Sequence, residues 1–154
     1  MDQNKNGIKL YNVIFPFWML ILFPYFWLLV FPANFIIDSL VLIVSMFALK
    51  MQEKKVYYKK HILKIFSFGM ISDIIGALYL LGMLYLFSFL EIDVMPDDLR
   101  LTVPALLISS ALIFVLNYFV TFRRSERNER FKMSIIFATV TAPYTFLIPI
   151  SWMY

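Results

Sequence analysis

One acid stands inside a long apolar run: Asp73, in the stretch Ile71-Ser72-Asp73-Ile74-Ile75-Gly76. Placing a carboxyl near the centre of a membrane helix costs about 2.5–3.5 kcal/mol on insertion scales. A group kept at that cost has two uses. It carries a proton or binds a cation, or it fastens helices, since a neutral acid donates as well as accepts. Its helical neighbours are small. Gly69 at i−4, Gly76 at i+3 and Ala77 at i+4 share its face, and Ser72 and Gly76 form a small-xxx-small pair. Such residues let a second helix approach closely, so the carboxyl is expected in or beside a tight seam.

Depth along each apolar run suggests its partners. Asp73 follows Lys64 by nine residues, about 13–14 Å at the helical rise. Asn117 precedes Arg123 by six residues, about 9 Å. Thr139 and Thr141 follow Lys132 by seven and nine residues, about 10–14 Å. Ser45 is shallower, at about 7–8 Å from Lys50. Asp73, Asn117, Thr139 and Thr141 are therefore expected to form one intramembrane polar layer. Pro143 cannot donate to the carbonyl of Thr139, which is expected to remain a free acceptor in that layer. As a structural residue, Asp73 would bond Asn117.

The other reactive residues read more plainly. Asp38 precedes Ser39-Leu40-Val41 and suits a helix N-cap at the outer surface. That puts it at a different depth from Asp73, so no shared-proton pair is expected. The sole histidine, His61, lies among lysines and reads as a solvated residue near the head groups. One His and no Cys cannot assemble a metal cluster. The four glycines form no phosphate loop, and no Ser sits in a G-x-S-x-G elbow. Catalysis, cofactor and metal are not expected. Lys54, Lys55, Lys59 and Lys60 interleave with Tyr57 and Tyr58. Beside an apolar run, that mixture suits anionic head groups better than nucleic acid, and Arg123 and Arg124 read the same way.

The elements that must position these groups are long and apolar. The chain has 154 residues, 62% hydrophobic and 16% charged. Ordinary soluble domains hold about 45–50% apolar and roughly 25% charged residues, so a soluble domain and a disordered chain are both excluded. Nearly uncharged runs cover 10–31, 33–49, 65–90, 101–122 and 133–153. A span needs about 20 apolar residues. Five transmembrane helices are expected, the second being short and holding Asp38. A re-entrant pair in place of the first two spans would leave the same charge pattern. Residues 10–37 carry no charge, longer than a signal-peptide core of about 7–15 residues, so the first segment is expected to stay as an anchor. Pro16, Pro24 and Pro32 each follow a Phe, and Pro16 and Pro24 should kink the first helix.

Charge sets the orientation. Lys5 and Lys9, the segment 50–64 and the segment 123–132 hold thirteen of the fourteen basic residues. The segment 91–100 is acidic instead, with Glu91, Asp93, Asp97 and Asp98 against Arg100. The positive-inside rule then predicts a cytoplasmic N-terminus and an outer C-terminus, with Trp152 and Tyr154 at the outer interface.

The expectation is an all-α, polytopic membrane bundle forming one domain over 1–154. Its Lys-, Ile- and Phe-rich composition fits a bacterial cell membrane. The leading functional expectation is a non-catalytic accessory or assembly subunit that meets a membrane-protein partner, or a second copy of itself, by helix packing through Gly69, Ser72, Gly76 and Ala77. The competing expectation is a small channel or a proton- or cation-coupled transporter built on Asp73. Lipids, anionic head groups included, are the other expected partners; nucleic acid is not one.

Overall fold

The computed structural model describes residues 24–148, which form helices and no strands. Helix α1 spans Pro24–Ala48, α2 Lys54–Phe89, and α3 Leu99–Leu116, running on into a π-turn at Asn117–Thr121. Helix α4 spans Arg127–Val140, and a 3-10 turn follows at Tyr144–Leu147. Three helical stretches, Trp27–Ala48, Lys54–Phe89 and Leu99–Thr121, are long and apolar enough to cross a membrane. The connections at 49–53, 90–98 and 122–126 are short, so successive helices run antiparallel as neighbours.

The expected boundary between the segments 10–31 and 33–49 does not occur. Helix α1 passes straight through Pro32. One proline removes one backbone hydrogen bond. Ending a helix there and starting another would orphan about four N–H and four C=O groups amid apolar residues. Continuity is the cheaper arrangement. The rest of the expected first span, with Pro16, lies outside the described residues, as do Lys5, Lys9, Trp152 and Tyr154.

Helix α2 begins at Lys54, eleven residues before the expected apolar start. Its 36 residues are about 54 Å long, well beyond a hydrocarbon core of about 30 Å. The lysine-rich stretch is thus the first three turns of the helix, not a loop. Lys50 and Glu53, both with φ 51°, turn the chain between α1 and α2 in the left-handed region.

The expected fifth span also differs. Helix α4 has 14 residues, about 21 Å at the helical rise, and cannot cross a membrane alone. It stops because Pro143 has no N–H for the carbonyl of Thr139. That carbonyl is not left free: the Tyr144 hydroxyl donates to it. The chain then folds back, and Phe146 packs into the bundle at 1% exposure.

Two apolar clusters hold the helices. Leu42, Met46, Ile62, Ile65, Ile113, Phe122, Met133, Phe137 and Ala138 pack at the basic end. Ala77, Leu80, Leu101, Ala105 and Phe146 pack toward the acidic end. Outward faces carry large apolar side chains such as Leu28, Leu40, Leu78 and Leu107. In water that surface would be a liability; against lipid tails it is the expected exterior.

Candidate functional site

Between the two clusters lies a polar layer. Asp38 is 14 residues from one end of α1 and 10 from the other. Asp73 is 19 residues from the start of α2 and 16 from its end. Both are buried, at 5% and 7% exposure. Both line one cavity of about 390 Å³, together with Asn34, Gly69, Thr141 and Tyr144.

Each wall has a local cause. On α1, Asn34 and Asp38 are one turn apart on one face. Asn34 Nδ2 reaches the Met70 sulfur of α2 at 3.2 Å, which ties that face to its neighbour. On α2, Gly69 has no side chain, and a Cβ there would lie 3.6 Å from Asp38 Oδ2. That is ordinary van der Waals contact, and it places the Asp38 carboxyl against α2 one turn from Asp73. The third wall is the end of α4 and the turn after it, Val140 to Thr145. A helix C-terminus carries a partial negative charge.

On its far side the layer is tight. Ser109 Oγ of α3 donates to the Ser72 carbonyl of α2 at 2.9 Å, and Ser72 Oγ donates to the Phe68 carbonyl at 2.7 Å. A Cβ on Gly76 would overlap Ser109 Oγ and lie 2.7 Å from a ring carbon of Phe146. Ser72 and Ala77 are fully buried. Asp73 Oδ1 is buried without a hydrogen-bond partner among the described residues.

Electrostatically the site is one-sided. Two carboxyls and a helix C-terminus converge, and no basic residue lines the cavity among the described residues. Two uncompensated anions in a membrane interior would cost several kcal/mol. A proton or a monovalent cation removes that cost directly. Among the described residues, no group of three or more acidic, His or Cys side chains is placed to hold a metal ion.

Several expectations are corrected. Asp38 is not an N-cap near the outer surface; α1 continues through Pro32 and carries it to mid-helix beside Asp73. Asn117 does not join Asp73. Ser109 marks the level of Ser72, and Asn117 is eight residues further along, about 12 Å. Its Nδ2 instead donates to the Ile113 carbonyl at 2.9 Å, while Oδ1 is buried without a partner among the described residues. Counting depth from Lys64 misplaced this pair, because α2 extends to Lys54 as one helix. Of the two threonines, Thr141 lines the cavity and Thr139 does not. Thr139 is exposed, with its hydroxyl on the Ile135 carbonyl at 2.8 Å.

His61 is not solvated. It is buried, its ring 4.1 Å from that of Tyr57 and 5.6 Å from that of Phe122. Because the lysine-rich stretch is helical, it has an inner face, and His61 lies on it. Lys55, Lys59, Lys60, Arg123 and Arg124 are exposed at that end. Lys54 lies over the Phe47 ring at 4.2 Å.

Sequence reasoning passed over Asn34 and Asp38 as one polar face. Asn34, Asp38 and Ser45 recur at four and seven residues, the spacing of one helix face. That signal is visible once Pro32 is accepted inside a helix. Among the described residues, fold and site together define an all-helical structure with three helices of membrane-crossing length and two carboxyls on one cavity. No protein-family model, curated protein or solved structure matches the chain.

Proposed function

We propose that this chain is an integral membrane protein that binds and passes a proton or a monovalent cation through the Asp38–Asp73 cavity. The carrying observation is the convergence of two buried carboxyls and the end of a broken helix on one cavity of about 390 Å³. Helices interrupted at membrane depth, with ion-binding groups at the break, are a recurring arrangement in transporters. The reading involves no covalent chemistry and treats the chain as non-catalytic. By the positive-inside rule, the end bearing Lys54–Lys64 and Arg123–Lys132 faces the cytoplasm, in the cell membrane of a bacterium. Lipids, anionic head groups among them, surround that end.

The accessory-subunit reading rests on packing through Gly69, Ser72, Gly76 and Ala77, but Gly76 meets Ser109 and Phe146 of the same chain and Ser72 and Ala77 are fully buried, which leaves it the apolar outer faces of α1 and α2. Lipid covers such faces as well as a protein would, so it is the weaker of the two. A proton path built from two acids is supported by groups that lipid packing does not require.

Proteoliposomes test the proposal. A pH or Na⁺/K⁺ gradient should collapse faster with the protein than without it. Asp73→Asn and Asp38→Asn should each lower that flux about tenfold or more while leaving the helical content and elution volume unchanged. Equal flux in either variant, or no flux from the parent protein under any of these gradients, overturns the reading.

A further inference from the structure

A second cavity, of about 330 Å³, opens at the basic end of the bundle, apart from the Asp38–Asp73 layer. Its size falls in the range of small-ligand sites, about 300–1,000 Å³. Three corners meet there: the residues after α1, the first turns of α2, and the α3–α4 connection. The inner wall is built. The Tyr57 hydroxyl and Ser125 Oγ are hydrogen-bonded at 3.1 Å, which ties α2 to the corner. The Tyr57 ring stacks parallel to Phe122 at 6.3 Å. His61 Nδ1 lies 2.8 Å from the Tyr57 carbonyl, which can only accept, so Nδ1 donates and the neutral ring keeps Nε2 as an acceptor.

Four charged side chains line the cavity, two of each sign: Lys60 and Arg124, Glu126 and Glu129. None of these four forms an ion pair among the described residues, whose ion pair is Arg100–Asp98 near the opposite end. Both signs therefore remain available to a ligand. A plain anion would gain from the bases and be repelled by the acids. A plain cation would meet the reverse. A group carrying both charges a few bonds apart satisfies all four.

The location narrows the chemistry further. The cavity sits where the apolar helices give way to charged turns, the level of lipid head groups. We propose that it binds a phosphoethanolamine group, the head of a zwitterionic phospholipid. Lys60 and Arg124 take the phosphodiester, Arg124 in the bidentate manner of a guanidinium. Glu126 and Glu129 take the primary ammonium. This assignment does not depend on the Asp38–Asp73 site, and the two stand or fall separately.

Native mass spectrometry from micelles holding equal phosphatidylethanolamine, phosphatidylcholine and phosphatidylglycerol tests it. Phosphatidylethanolamine should be retained about tenfold or more over phosphatidylcholine, whose methylated nitrogen offers no N–H donor, a gap of about 1.4 kcal/mol. Joint Lys60→Ala and Arg124→Ala substitution should remove that retention. Joint Glu126→Gln and Glu129→Gln substitution should shift the preference to phosphatidylglycerol. Lys60, Arg124 and Glu126 are exposed and Glu129 is half-buried with no ion pair among the described residues, so these variants should keep the parent's thermal midpoint in lipid-free detergent. Soluble glycerophosphoethanolamine separates the sources. Competition with retained lipid assigns the pocket to a lipid head, and binding without lipid retention assigns the same chemistry to a soluble ester. Equal retention of the three lipids with no glycerophosphoethanolamine binding overturns the proposal, and so does a preference that survives both double substitutions.

Discussion

Asp98 shows how a surface charge becomes structural. It is the N-cap of α3, accepting from the Arg100 backbone N–H at 2.8 Å while the Arg100 guanidinium closes on the same carboxylate. The side-chain bonds from Arg100, then its backbone N–H, hold the Asp98 carboxyl below the usual carboxylate range. A lowered folded-state pKa adds stability above the unfolded value and loses it as pH falls through the folded one. Asp98→Ala should therefore melt below the parent at neutral pH. The gap should shrink once pH drops under the ordinary aspartate value of about 3.9 and vanish below the folded pKa. Thermal unfolding in detergent across that range measures it, and a gap independent of pH would contradict the assignment. Asp97-Asp98 after Pro96 and Arg100 two residues on are plain in the sequence. Their pairing as a cap follows from the chain reversal between α2 and α3.

Glycines set the closest helix approach. Gly76 meets Ser109 and Phe146, whereas a Cβ on Gly82 would meet nothing within 4 Å. Gly76→Ala should lower stability by about 1–3 kcal/mol, the usual cost of overpacking a close contact. Gly82→Ala should be neutral or add about 0.5–1 kcal/mol, since alanine restricts the unfolded chain and suits a helix interior. Paired thermal melts check the contrast, and equal effects at the two positions would remove the close-approach argument. Small residues on one face of this helix were readable from spacing alone. Which helix they meet was not, because the spacing gives a face and no partner. That a 3-10 turn, and not only a helix, fills the Gly76 notch depended on Pro143 ending α4 and Tyr144 capping the Thr139 carbonyl.

The whole molecule has two unlike ends and a polar middle. Its basic end gathers Lys54–Lys64 and Arg123–Lys132; the opposite end carries Glu91, Asp93 and Asp97. The chain has no cysteine, so single introduced thiols report orientation cleanly. Lys55→Cys should react with an impermeant reagent in inside-out vesicles and stay protected in intact cells, and Asp93→Cys should show the reverse. The opposite pattern would invert the proposed orientation.

Composition and the lengths of the apolar runs were enough to establish helices of membrane-crossing length and to segregate the charges, because both are properties of the chain read in order. Whether a helix passes through Pro32 or ends there, and which way each helix is rotated, is decided by the faces that pack together. Only the folded bundle therefore brought Asp38 beside Asp73, turned His61 inward against Phe122, and left Asn117 about 12 Å along the helix axis from the level of Ser72.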